Sequence, residues 1–278
     1  MRNVTFPDGR SVPVLGQGTW HMGESRGARR AEADALRLGL DLGMTLIDTA
    51  EMYASGGAEE VVADAVSGRR DAAFVVSKVL PQNATRLGVP EACERSLRRL
   101  RTDRIDLYLL HWRGGVPFAE TVEALEALRR AGKIRAWGVS NLDAEEMAEV
   151  AALPAGVGCA TDQVLYNPQA RGIEFDLLPW CAAQRMPVMA YSPVGQGGRL
   201  MRAPVLREIA ARRGASPAQV ALAWAIRHPH VIAIPKAADP VHVRENAAAA
   251  ALALDAADLG AIDRAFPPPR RREALGML

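Results

Sequence analysis

The chain of 278 residues has little cysteine, and what it has is not arranged for chemistry. Cys93, Cys159 and Cys181 lie far apart with no CxxC pair, which argues against a zinc site or a disulfide framework and fits a reducing compartment. No run of about 20 apolar residues is present to span a bilayer; the Ala-rich stretch 247–253 is short and leads into acids. The first nine residues, Met1 to Gly9, carry no apolar segment of the secretory type, so a cytoplasmic location is expected. Neither sign of charge dominates: 34 basic against 32 acidic side chains leave +2. That balance gives no case for nucleic acid or an anionic membrane as the main partner. The one tight basic run, Arg270-Arg271-Arg272 after three prolines, reads as a solvated tail. His228-Pro229-His230 has a spacing common in metal sites. It precedes the last expected strand, on the wrong side for a site, and reads as a helix-end cap favoured by the helix dipole, so no metal is expected. A dinucleotide-binding glycine fingerprint is also missing: after Gly16 and Gly18 its third position is His21.

What is present is alternation. Residues 3–14 form a hairpin around Pro7-Asp8-Gly9, a turn with Pro and Gly where turn geometry wants them. A short segment from Leu15 bends at Gly18. Helical spacing then appears at Ala31, Ala35, Leu38 and Leu42, and a fuller stripe at Ala58, Val61, Val62, Ala65 and Val66. Further helices are expected near 90–100, 118–131, 143–152, 174–184, 204–213, 216–227, 240–249 and 255–265. Between them lie short, almost wholly apolar runs at 45–48, 74–78, 105–111, 134–140, 159–163, 188–191 and 231–234, as parallel strands buried on both faces require. Eight strand–helix units without a linker predict one domain over 1–278. The expected fold is an α/β (β/α)8 TIM barrel with an N-terminal β-hairpin and extra C-terminal helices. A doubly wound sheet is the alternative, but its usual glycine fingerprint is absent.

In such a barrel the C-terminal ends of the strands converge on the active site. Here those ends carry Asp48 and then Tyr53, Lys78, His111, Asn141, Gln163, Tyr191 and Lys236. One such residue is unremarkable. A full set at one rim would desolvate many polar groups for no return unless they form a site. The first four suggest proton chemistry. A phenol with a pKa near ~10 is a poor donor at neutral pH, and the cation Lys78, held by Asp48, is expected to lower it. His111 can orient a substrate oxygen. The other four suggest a nicotinamide dinucleotide: planar amides at Asn141 and Gln163, a flat ring at Tyr191, and Lys236 where barrels build phosphate sites.

The chain resembles the aldo-keto reductase family over essentially its whole length. The resemblance is carried by Leu46-Ile47-Asp48-Thr49-Ala50-Glu51-Met52-Tyr53, by Val76-Ser77-Lys78, by Ile134 to Asn141 and by Ile234-Pro235-Lys236. It implies a catalytic tetrad of Asp48, Tyr53, Lys78 and His111, with Tyr53 as general acid. It further implies cofactor contacts from Gly18, Thr19, Asp48, Ser140, Asn141, Gln163 and Tyr191, and a pyrophosphate loop at Ser192-Pro193-Val194-Gly195. Lys236, Ala237, His242, Arg244 and Asn246 fall in its adenosine-phosphate segment. NADPH is the implied hydride donor, and the implied partner is a small-molecule aldehyde, ketone or dicarbonyl of the methylglyoxal kind. The sequence departs from the pattern at His242, where many members place an Arg that clamps the 2′-phosphate, and at Ala237, often Ser. Fewer charge-assisted bonds should reach that phosphate, so some use of NADH is expected. Trp20 and Trp112 are expected to wall the substrate pocket with Tyr53 and His111. The short tail after 265 implies an open pocket, and a barrel that buries its own core is expected to be a monomer. Two rival readings stand beside this one. A nucleotide-binding sensor barrel has no need of a tuned phenol, and a metal-dependent hydrolase needs a cluster of ligands that only Asp48 and His111 begin to supply.

Overall fold

Short apolar strands that must satisfy their backbone groups without an edge curl into a barrel, and this is what the computed structural model of residues 1–278 contains. The hairpin is β1 (Asn3–Thr5) and β2 (Ser11–Pro13), antiparallel, with Val4 opposite Val12. The barrel follows as β3 (Gln17–Gly18), α1 (Arg29–Asp41), β4 (Leu46–Asp48), α2 (Gly57–Val66), β5 (Phe74–Val79), α3 (Gly88–Leu100), β6 (Ile105–Leu110) and α4 (Phe118–Arg130). It continues with β7 (Ile134–Ser140), α5 (Ala144–Ala151), β8 (Cys159–Leu165), α6 (Leu177–Ala183), β9 (Val188–Tyr191), α7 (Pro204–Arg213), α8 (Pro217–Ala225) and β10 (Val231–Ala233). The chain ends with α9 (Pro240–Ala248), α10 (Ala256–Ala265) and an irregular tail.

Strands β3 to β10 pair in sequence order, all parallel. Parallel bridges from Leu15 to Ala233 and from Gly18 to Lys236 close the circle. At that seam a side chain on Gly18 would meet the Ile234 carbonyl at 2.8 Å, so only glycine fits. The predicted elements are all present, with ends shifted by a few residues. Capping boxes at Asp143, Ser216 and Asp255 fix the starts of α5, α8 and α10; each cap is worth about 1 kcal/mol.

The spacing expected of α1 holds in part: Ala35 is buried and Leu38 and Leu42 are half-buried against the core, while Ala31 is exposed and Ala33, Leu36, Gly39 and Leu40 complete the buried face. The larger side chains Leu36 and Leu40 set the buried face. Gln17 fixes the helix further: its amide donates to the Leu36 and Met44 carbonyls and lies against Gly39. The stripe on α2 is buried as expected. All three cysteines are free and buried, and burial pushes the Cys93 and Cys159 thiols up to about 12. No helix is long and apolar enough to cross a membrane.

Candidate active site

Strand β4 ends at Asp48, and a turn closed by the Tyr53 amide on the Ala50 carbonyl at 3.1 Å carries the chain to Tyr53. The neighbouring strand β5 brings Lys78 alongside. Lys78 is fully buried and spends its three donors on Asp48 Oδ2 (2.8 Å), the Thr49 carbonyl (2.8 Å) and Tyr53 Oη (3.2 Å). The phenol oxygen accepts from Lys78, so its own proton is free to point into the cavity. Asp48 accepts a second bond, from Gln163 Nε2, at 2.7 Å. The Tyr53 ring is flanked edge-on by Trp20 at 4.9 Å and by His111 at 5.8 Å between centroids.

The electrostatics differ from the expectation at Tyr53. Burial raises its pKa, Lys78 lowers it, and the Asp48 carboxylate raises it again; the result lies above the ordinary phenol value. A lowered phenol is therefore not what this arrangement makes. The Lys78–Asp48 pair is close to neutral as seen from the phenol, so burial decides. Tyr53 is a proton-loaded acid throughout the neutral range. Burial works against the Lys78 charge, but Asp48 and Tyr53 together offset it and keep the amine's pKa above its ordinary value. His111 moves the other way, down to about 2, through burial and the nearby Lys78 cation. It is a neutral imidazole. Its Nδ1 is buried without a hydrogen-bond partner, so a proton there would be an unsatisfied donor, and the ring proton belongs on Nε2.

These groups line one cavity of about 760 Å³. It collects Gly18, Thr19, Trp20, Asp48, Tyr53, His111, Trp112, Ser140, Asn141, Gln163, Tyr191, Ser192, Pro193, Lys236, His242 and Asn246, all singled out in the sequence. Gly195, Ala237 and Arg244 are not part of its lining, and Lys78 lies beneath the surface. The two amides are less free than expected. Asn141, at φ 60°, donates to the His111 carbonyl and to Ser140 Oγ at 3.1 Å each, and accepts from Tyr191 Oη at 2.9 Å. Gln163 keeps its carbonyl oxygen, while its nitrogen serves Asp48. Tyr191 is pushed up to about 12 by burial and presents a neutral ring. After it, Ser192, Gly195, Gln196 and Gly197 all have positive φ, the kind of turn that aims backbone N–H groups at an anion. At the far end His242 pairs with Glu245 at 3.1 Å beside Lys236.

The basic run at 270–272 is exposed, as expected of a tail, yet Arg272 is tethered: it pairs with Asp143, Glu145 and, at 3.3 Å, Asp176. It thereby anchors a strap that runs past Leu165 at Gly276 and ends with Met277 and Leu278, both exposed, at the cavity wall. Met52, Met201 and Glu245 also line the cavity, unannounced by the sequence. His21, which its place just after Trp20 puts near the rim without assigning it a role, lines the cavity too; at φ 64° it is held by Glu24 at 2.7 Å. No group of His, Cys, Asp and Glu side chains is disposed to hold a metal ion. A smaller hollow of about 230 Å³ lies at the opposite end of the barrel, lined mainly by apolar residues such as Val14, Leu252 and Leu259.

Comparison with known proteins places this geometry. The aldo/keto reductase family profile matches residues 14–266. The methylglyoxal reductase YeaE of Escherichia coli (strain K12) is 54% identical over 279 residues, covering 99% of this chain and 98% of that protein. The glyoxal reductase of Bacillus subtilis (strain 168) is 32% identical over 94% of this chain and 91% of its own. Among solved structures, an aldo-keto reductase from Klebsiella pneumoniae in complex with NADPH superimposes with a TM-score of 0.97 at 52% identity, over the full length of both chains. This chain belongs to the aldo/keto reductase family.

Proposed function

We propose that this chain, an NADPH-dependent carbonyl reductase, acts on small, reactive aldehydes, ketones and dicarbonyls of the methylglyoxal kind, with Tyr53 as the proton donor. The observation that carries the reading is the buried chain Gln163–Asp48–Lys78–Tyr53, closed at 2.7, 2.8 and 3.2 Å, with neutral His111 beside the phenol. The dicarbonyl preference rests on the likeness to the Escherichia coli methylglyoxal reductase and on a pocket walled by Trp20, Trp112, Met277 and Leu278.

The cavity suits the cofactor. It has amides at Asn141 and Gln163 near the acid, a flat ring at Tyr191, a turn of backbone donors at 192–197, and Lys236 with His242 for the phosphates. NADPH supplies the hydride when bound. The chain does the rest. His111 donates from Nε2 to the substrate oxygen and holds it near Tyr53 Oη. Tyr53 gives that oxygen its proton as negative charge develops there, and Lys78 stabilises the phenolate left behind. Asp48 keeps Lys78 charged and aimed, and Gln163 keeps Asp48 in place. His242 is shared with Glu245, so the grip on a 2′-phosphate falls mainly to Lys236, and NADH is a weaker alternative donor. We propose further that residues 1–278 work as one domain, as a monomer, in the cytoplasm.

The test is Tyr53→Phe. NADPH oxidation with methylglyoxal should fall by about 10²–10⁴-fold while NADPH binding, read by fluorescence titration, holds within about twofold. Wild-type protein that binds NADPH yet reduces no carbonyl would favour the sensor reading. Protein that binds no dinucleotide would end the nicotinamide reading altogether.

A further inference from the structure

The turn that carries the proton donor is held in an unfavourable shape. Tyr53 is followed by Ala54 at φ 48°, Ser55 at φ 53° and Gly56 at φ 95°, three left-handed residues in succession. Only the last is a residue that adopts such a conformation freely. For Ala and Ser it persists only where surrounding structure imposes it. Two clamps do so. On one side Gly57 packs directly against the backbone of Gly23, whose N–H donates to Glu32 at 2.9 Å. On the other, the Arg99 guanidinium of α3 lies so close under Gly56 that a side chain at 56 would overlap it.

Arg99 is itself fixed. Its Nε donates to Glu59 Oε2 at 2.5 Å and its Nη2 to Ser96 Oγ at 3.2 Å. Glu59, in the first turn of α2, is wholly buried and accepts a second bond on Oε1 from Ser77 Oγ at 2.6 Å. Ser77 precedes Lys78 on β5, and side chains alternate along a strand. Lys78 therefore faces Tyr53 and Asp48, while Ser77 faces the helices. The network ties the strand that holds the cation to the turn that holds the acid, from behind both. A buried ion pair adds little net stability over apolar packing of the same volume, so stability alone gives weak reason for a carboxylate and a guanidinium here.

We propose that Arg99, through Glu59 and Ser77, is a positioning residue for Tyr53. It holds the turn so that Tyr53 Oη stays within reach of Lys78 Nζ and away from bulk water. This rests on Tyr53 being the proton donor. The titratable groups facing the phenol, Lys78, Asp48, His111 and Tyr191, are not members of the network and are left in place by changes in it.

The experiment compares Arg99→Met, Arg99→Lys and Ser77→Ala with wild type. Arg99→Met should lower kcat for methylglyoxal by about 10–100-fold, as a displacement of roughly 1 Å at a reacting group does, with NADPH affinity within about twofold. Arg99→Lys should recover part of the loss, and Ser77→Ala should show a smaller loss in the same direction. Tyr53 is raised chiefly by burial, so a loosened turn that admits water must move its titration down. The near-ultraviolet phenolate absorbance that is lost in Tyr53→Phe should appear at lower pH in Arg99→Met. Folded Arg99→Met and Ser77→Ala with wild-type kcat and an unmoved Tyr53 titration overturn the proposal and leave the network as packing between α2 and α3. If Arg99→Met does not fold, Ser77→Ala decides by the same two readings. If wild type reduces no carbonyl, the reductase reading fails separately, and the Tyr53 titration alone decides this one.

Discussion

At the scale of single residues, the site separates a group that must hold a proton from one that must never gain one. Tyr53 is raised and His111 lowered, both first by burial. With Tyr53 as the proposed proton donor, carbonyl reduction needs the protonated phenol, and a raised pKa keeps that form to higher pH. The rate of reduction should therefore hold from about pH 5 to about pH 9 and fall only above about pH 10. An acid limb near the ordinary histidine pKa of about 6.5, absent in His111→Gln, would contradict the neutral imidazole. Lys78 and Asp48 make a buried pair whose halves are not independent. Lys78→Met leaves Asp48 as an uncompensated buried charge and should cost about 3–5 kcal/mol in urea unfolding, with Lys78→Met/Asp48→Asn recovering much of it. Additive losses would mean that the carboxylate is not held by the lysine. The strand-end residues Asp48, Lys78, His111, Gln163 and Tyr191 were legible in the sequence because parallel strands end in register at one rim. The direction of the Tyr53 shift was not. It depends on how completely Trp20 and His111 enclose the ring, and on the Asp48 charge offsetting the Lys78 charge.

At the scale of elements, periodicity gave α2 its correct face and α1 part of its own. Ala35 belongs to the buried face of α1, and the rest is completed by Leu36 and Leu40 with Gln17 docked at Gly39, a contact that no local pattern encodes. The tail is exposed, as three consecutive arginines suggest, but its tether was not legible: Asp143, Glu145 and Asp176 are brought to Arg272 from α5 and α6, far away in the sequence. Arg272→Glu places like charge against all three and should free the strap. Rates with bulky aromatic aldehydes should then rise relative to methylglyoxal by a few-fold, and proteolysis after residue 266 should quicken; exposed ion pairs are individually weak, so a larger effect is not expected. An unchanged selectivity with a released tail would remove Met277 and Leu278 from the substrate wall.

At the scale of the whole molecule, the barrel was the most legible feature, because eight short apolar runs separated by helical stripes leave few other ways to bury both faces of the strands. The seam between β3 and β10 was less so: its glycine is explained only by the Ile234 carbonyl it meets across the seam. The same closed packing decides the fate of the cysteines. Cys93, Cys159 and Cys181 are shut away, and their thiols titrate far above neutrality. Native protein should react with iodoacetamide at least ~100-fold more slowly than unfolded protein, since the thiolate is the nucleophile. Rapid native alkylation with loss of activity would show the packing to be looser than described. For a catalyst whose substrates are electrophiles, this burial withdraws one class of target: the carbonyl compounds that gather at the barrel mouth find no thiolate to modify.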